Sequence, residues 1–364
     1  MKITSPTLLL NETICKANIQ MMVDKATANK LILRPHFKTH QSKEVGEWFR
    51  EVGVDKICVS SIKMAQYFAE NNWTDITIAF PVNILEIEKI NDLAASIKLN
   101  LLSSSPETIT YLENNLSDAV DLFIDIDTGY HRTGIPYTDT NRIDELLTQI
   151  ENCSKITFAG FLAHAGHSYK SRSKEEILKV HEQTLEALNG LKKKYISAFP
   201  NLIVSNGDTP TCSVANDFGD IDEIRAGNYV FYDYTQYKIG SCEIDQIAVA
   251  MACPVVEKKL ANKQLIIHGG GVHFSKDSIE EDRLIHFGRI VANKGNTWGK
   301  LIDAVFLSSI SQEHGTIQCT PTFFEQTNIG DVIYILPIHS CLTADSMKSH
   351  TTLGGAVLEH LEGA

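Results

Sequence analysis

The chain has 364 residues, 43% of them hydrophobic and 21% charged, with a formal net charge of −12. That length suits two domains, or a barrel with an appendage, rather than one small core. The acidic balance argues against nucleic acid or an anionic membrane surface as the main partner, and no apolar run approaches the roughly 20 residues of a membrane helix.

Short signals narrow this further. The opening MKITSPTLLLNETI carries one Lys, three consecutive Leu and no small-residue cleavage site, so no signal peptide is expected. Eight cysteines are scattered without a C-x-x-C pair, a pattern expected of buried free thiols in a reducing cytoplasm.

In chain order, a first strand over 7–10 leads to Asn11, which can cap a helix running to about residue 29. The stretch LILRPHFKTHQ (31–41) follows, placing Lys38 where a buried strand gives way to a loop, with His36 and His40 beside it. Further apolar runs of strand length lie at 55–61, 75–81, 96–104, 120–127, 157–164, 201–207 and 222–230, with amphipathic stretches between most of them. Counting 31–39 as the first, eight β/α units fill residues 11–240. This is the size of a (β/α)8 TIM-type barrel, an α/β fold, preferred here to a doubly wound open sheet. Beyond residue 240 the runs QIAVAMACPVVEKK, KQLIIHGGGVHFS, IHFGRIVAN, DAVFLSSISQEHGTIQC and DVIYILPIHSCLTAD read as successive strands. They predict a second, mostly β domain over 241–364, to which strand 1–10 can return.

Functional side chains of such a barrel lie at the C-terminal ends of its strands. Polar clusters fall there: Lys38, DTGYHRTG (127–134), HAGHSY (164–169), SNGDTPT (205–211) and AGNYVFYD (226–233). The last two follow the seventh and eighth runs, where barrels hold phosphate, and offer backbone N–H and hydroxyl donors. Opposite a strand-end Lys they suggest a phosphorylated cofactor that joins a lysine, pyridoxal phosphate. In PIHSCLTAD, His339 and Cys341 are two apart, so on a strand both face one way and can meet one ion. A thiolate with an imidazole favours Zn²⁺. Glu313 and His314 of SQEHG stand as candidate acid/base groups.

With these residues in view, the chain resembles the D-threonine aldolase and D-serine dehydratase group, pyridoxal-phosphate enzymes of the alanine-racemase-like fold. The resemblance spans SPTLLLNETICKANIQMM, RPHFKTH, DTGYHRTG, HAGHSY, SNGDTPT, RAGNYVFYD, GGGVHFSKD, EHG and PIHSCLT, in that order. It implies a homodimer of barrel-plus-β subunits. It implies that Lys38 carries the cofactor, that Arg132, His164 and Tyr169 surround its ring, and that Ser205, Gly207, Thr209, Gly227 and Asn228 contact its phosphate. His339 and Cys341 look like the zinc ligands of the zinc-dependent D-serine dehydratases; aldolase members place a carboxylate where Cys341 stands.

The expected reaction is β-elimination from D-serine or a related D-3-hydroxy amino acid, giving a 2-oxo acid and ammonia. Lys38 would take the α-proton, and zinc at the 3-hydroxyl would help a poor leaving group depart. The nearest alternative is a retro-aldolase releasing glycine. A racemase would need a second base on the opposite face, and non-catalytic cofactor carriage would leave the β domain without a purpose.

Overall fold

The computed structural model describes residues 2–294 and 297–362. The chain forms two compact units. One comprises Gln20–Lys38 and Gly46–Gly227; the other comprises Met1–Ile19, Thr39–Val45 and Asn228–Gly363. Tyr234–Ile239, inside the stretch read as barrel from the sequence, therefore falls in the second unit.

After β1 (Thr7–Leu10) and helix α1 (Glu12–Ala28), the first unit is built on eight parallel strands. These are β2 (Ile32–Leu33), β3 (Ile57–Val59), β4 (Asp75–Pro81), β5 (Lys98–Ser103), β6 (Val120–Asp127), β7 (Ile156–Ala163), β8 (Ile203–Asn206) and β9 (Glu223–Ile224). β2 pairs with β9, and the order then runs through β8, β7, β6, β5 and β4 to β3. The ring closes at a parallel bridge between His36 and Cys58, where Phe37 N–H donates to the Cys58 carbonyl and Cys58 N–H to the Pro35 carbonyl, both at 2.9 Å. The (β/α)8 barrel expected from eight apolar runs is thus present. Its helices begin where the sequence supplies caps: Ser61, Ser105, Asp139 and Ser173 each accept a first-turn backbone N–H.

Leu102, Phe123 and Leu162 form an apolar layer of buried side chains. A polar layer is set by Arg34, whose Nε donates to Glu223 Oε2 and whose Nη1 donates to Asp75 Oδ1, both at 2.7 Å. β7 and β8 approach so closely that a Cβ on Gly160, at φ +144°, would fall 1.9 Å from the Ile203 carbonyl oxygen.

The second unit holds a nine-stranded sheet. Its members after β1 are β10 (Val249–Lys259), β11 (Gln264–His268), β12 (Gly288–Asn293), β13 (Trp298–Ile310), β14 (His314–Gln318), β15 (Val332–Pro337), β16 (Ser349–Thr352) and β17 (Val357–Glu359). The order is β11–β14–β13–β12–β15–β10–β1–β16–β17, and β10 also pairs with β11, so six antiparallel strands close on themselves. β1 does return here, antiparallel to β10 and parallel to β16.

Two stretches read as strand are corrected. GGGVHFS leaves β11 to form a short helix over Gly271–Phe274, and PIHSCLTAD leaves β15 to form a helix, α2 hereafter, over Ser340–Met347. The second begins because Asp233 Oδ2 accepts the Ser340 N–H at 3.0 Å and satisfies a helix-start donor.

Candidate active site

Lys38 lies just past β2, exposed, in the turn that follows the bridging His36. Its backbone N–H donates to His36 Nδ1 at 3.3 Å, which leaves the proton of a neutral His36 on Nε2. Burial, followed by the charges of Lys38 and Arg225, holds His36 well below the ordinary histidine pKa. His36 is therefore a neutral brace of the lysine turn.

His164 follows β7. Its Nδ1–H donates to the Gly207 carbonyl, so the Nε2 lone pair is the one left available. Burial, then Lys38, pushes its pKa down to about 3. Tyr130 stands edge-on to His164 with centroids 5.7 Å apart, and the Arg132 guanidinium lies 5.1 Å over the Tyr130 ring. Arg132 does not take Asp127, which instead binds His131 at 2.7 Å. The Tyr169 hydroxyl accepts the Thr209 backbone N–H at 3.3 Å, linking the sixth and seventh strand-end loops.

The phosphate candidates divide by what their side chains already do. Ser205 donates to Glu223 Oε1 at 2.5 Å and accepts from Arg225 Nη1. Thr209 Oγ1, by contrast, is buried with no hydrogen-bond partner among the described residues, as are Asn206 Oδ1 and Arg225 Nε. A Cβ on Gly207 would come within 2.7 Å of Arg225 Cβ, so the backbone there runs as close as a glycine permits. Orphaned buried polar atoms beside a glycine are what a bound anionic group would satisfy. Gly227 closes the first unit and Asn228 opens the second, where Asn228 Nδ2 donates to Asp233 Oδ2 at 2.8 Å, Ser340 Oγ at 2.9 Å and Cys341 Sγ at 3.4 Å.

Arg225 is a residue that sequence reasoning passed over. It sits inside the quoted RAGNYVFYD, fully enclosed, and donates to the Ala163 carbonyl at 2.7 Å. An arginine within an apolar run, two residues before Gly227, was the available signal.

In the second unit His339 and Cys341 do meet, though not on a strand: His339 is the residue that opens α2 and Cys341 lies in its first turn. The two side chains are hydrogen-bonded. Burial works against a Cys341 thiolate, but His339, then Thr39 and Asn228, bring its pKa below the ordinary thiol value. His339 rises to about 11 despite burial, through Asp277 and then Cys341. Without metal the two form an imidazolium–thiolate ion pair. Once an ion displaces the His339 proton, nitrogen and sulfur become a soft donor pair suited to Zn²⁺.

Glu313 Oε2 lies 3.6 Å from His268 Nε2 and 3.7 Å from His273 Nε2, a second group of potential ligands. His273 Nδ1, however, accepts the Gly270 N–H at 3.1 Å, which puts the proton on Nε2 and aims it at the carboxylate. The trio is a cluster at ion-pair distances. His314 lies exposed on β14.

The chain is similar to known proteins in sequence and in fold. Residues 11–235 match the family described as alanine racemase, N-terminal domain, and residues 248–353 match a putative serine dehydratase domain. A D-serine dehydratase of Dictyostelium discoideum is 29% identical, covering 94% of this chain and 91% of its own. The structure of D-threo-3-hydroxyaspartate dehydratase from Delftia sp. HT23 matches at a TM-score of 0.92 and 25% identity, covering 100% of this chain and 98% of that one. A D-threonine aldolase of Arthrobacter is 24% identical over 64% of this chain and 62% of its own length. All three relatives are lyases by name.

Proposed function

This chain belongs to the alanine racemase N-terminal domain family, and from that premise we propose that it is a pyridoxal-phosphate- and zinc-dependent lyase. Its reaction is β-elimination of D-serine or a related D-3-hydroxy amino acid to a 2-oxo acid and ammonia. The observation that carries the choice of elimination is the His339–Cys341 pair, a thiol whose pKa His339, Thr39 and Asn228 lower towards the thiolate.

The barrel residues fit the cofactor. Lys38 would hold it by its aldehyde carbon. Thr209 Oγ1, orphaned and buried, and the backbone at Gly207 would hold its phosphate, with Gly227 and Asn228 as further contacts. Ser205 would act through Glu223 and Arg225, to which its hydroxyl is bonded. His164 and Tyr169, tied to Gly207 and Thr209, would wall its ring together with Arg132. When bound, pyridoxal phosphate stores the electron pair that remains at Cα after proton removal.

Lys38 Nζ is the base that takes the α-proton. The depressed pKa of His164 keeps it neutral at working pH, so it adds no positive charge beside the lysine. His36 is neutral for the same reason, and Lys38 is left as the group that moves the proton. His339 and Cys341 would hold the zinc, which would supply Lewis acidity for a 3-hydroxyl that is otherwise a poor leaving group. The donor pair supports that ion: soft sulfur with imidazole nitrogen suits Zn²⁺ better than the harder Mn²⁺.

The reading takes the enzyme as a cytoplasmic homodimer; eight thiols without a disulfide support the reducing compartment. Among the described residues no helix is long and apolar enough to cross a membrane.

The decisive experiment incubates the protein with D-serine and D-threonine, with and without a chelator, and assays oxo acid against glycine. Pyruvate and 2-oxobutyrate, lost on chelation, are expected. Glycine with acetaldehyde from D-threonine would replace elimination by the retro-aldol reaction.

A further inference from the structure

A histidine that ligates a metal through one ring nitrogen still has an N–H on the other. What accepts that N–H fixes the tautomer and the angle of the ring. The structure assigns this task to Asp277: we propose that it is the positioning residue that aims His339 at the metal. The inference rests on the metal reading given above and concerns a residue that reading does not use.

Asp277 Oδ2 lies 3.5 Å from His339 Nδ1, at the long end of hydrogen bonding. With Nδ1–H turned to the carboxylate, Nε2 is the ring nitrogen left to face an ion. His339 needs such a restraint. It opens α2 but its side chain makes no capping bond, so the helix start does not orient the ring. The other nearby carboxylate, Asp233, is already committed to Asn228, Ser340 and Gln236.

Asp277 is itself held. Ser275 Oγ donates to Asp277 Oδ2 at 2.8 Å and accepts the Asp277 N–H at 3.3 Å. Ser275 has φ +66°, a conformation that a non-glycine residue keeps only where its surroundings fix it. The preceding residue is anchored to α2, since Thr343 Oγ1 donates to the Phe274 carbonyl at 3.1 Å. The carboxylate, the histidine and the cysteine thus share one support. As an ion pair Asp277–His339 contributes little to stability, because the two side chains are 37% and 39% exposed. Its consequence is orientation.

The test uses metal-stripped full-length protein titrated with Zn²⁺ against a chromophoric chelator, comparing wild type, Asp277→Ala, Asp277→Asn and His339→Ala. Thermal melting is followed in parallel. Asp277→Ala is expected to weaken zinc binding roughly 10- to 100-fold with an unchanged melting temperature. Asp277→Asn, whose amide oxygen still accepts the N–H, should fall between it and wild type. Zinc held as tightly by Asp277→Ala as by wild type, while His339→Ala loses it, would overturn the role of Asp277 and leave the metal reading standing. Undiminished affinity in His339→Ala would overturn both. If Asp277→Ala does not fold, the Asn variant decides, and wild-type affinity there counts against the proposal.

Discussion

Thr39 and Cys341 are 302 residues apart in the chain and bring hydroxyl and sulfur to 3.3 Å. With Asn228 Nδ2 at 3.4 Å, the sulfur sits among polar groups rather than in a plain apolar core. That setting suits a thiolate ligand, and it predicts how the site responds to a harder donor. Cys341→Asp should lose zinc-supported oxo-acid formation by at least about tenfold and shift metal preference towards Mn²⁺. Steady-state rates of stripped enzyme reloaded with each metal measure this. Unchanged rates with zinc would refute the thiolate's part.

Lys38 carries two duties in the proposed reaction, anchor and base. Lys38→Ala should remove the visible absorbance of bound cofactor and lower oxo-acid formation by roughly 10²–10⁴-fold or more. A variant that kept both would move the chemistry elsewhere.

Gly207 leaves no room for a side chain. An alanine Cβ would sit 2.7 Å from Arg225 Cβ and 2.9 Å from the Arg225 carbonyl carbon. Gly207→Ala should destabilise the protein by about 1–3 kcal/mol, as overpacked sites do, and weaken cofactor retention. Urea denaturation and the cofactor absorbance after dialysis report the two effects.

Acid should unfold the protein through histidines that are neutral because they are buried. Burial, then His360, pushes His350 down to about 3; burial, then His350 and His360, holds His40 well below 6.5. Unfolded, each titrates near its ordinary value of about 6.5. Both folded pKa values lie below the unfolded one, so the unfolded chain takes up protons first. Stability is complete above that pH and is lost as pH falls below about 6.5, for His350 down to about 3, at a rate that reaches about 1.4 kcal/mol per pH unit. His350→Gln should therefore lose about 1 kcal/mol less than wild type between pH 6.5 and 5.5. Denaturant midpoints at the two pH values give the comparison.

Arg34 is enclosed with Glu223 and Asp75, at 2.7 Å from each. Arg34→Ala would strand a Glu223 carboxylate that is fully buried. A loss of about 3–5 kcal/mol is expected from breaking such a pair, read as a lower urea midpoint.

Much of the barrel was legible because parallel strands covered on both faces read as continuous apolar runs. All eight runs hold a strand, but their ends shift for local reasons. The first, expected over 31–39, pairs regularly only over Ile32–Leu33, because Pro35 has no N–H to give and the chain turns after His36. His339 and Cys341 were found for the right chemistry and the wrong geometry. Alternation on a strand was the premise, and the start of a helix is what brings them together. Thr39, Asn228 and Asp277 gave no sequence signal for their places around that pair, since contacts across 302 and 113 residues leave no local period.

β1 has a further consequence, in the order in which the molecule assembles. Leu8 pairs with Met251, and Leu9 with Thr351, so the earliest strand to be synthesised lies between two of the later ones. The unit built from Gln20–Lys38 and Gly46–Gly227 is complete in sequence while translation continues. β1 must wait for its far neighbour, an interval of roughly 20–70 s at about 5–20 residues per second. Through that interval an apolar strand with unpaired edges stays exposed. Slower translation or a scarcity of chaperones should therefore reduce the yield of the β unit before it affects the barrel.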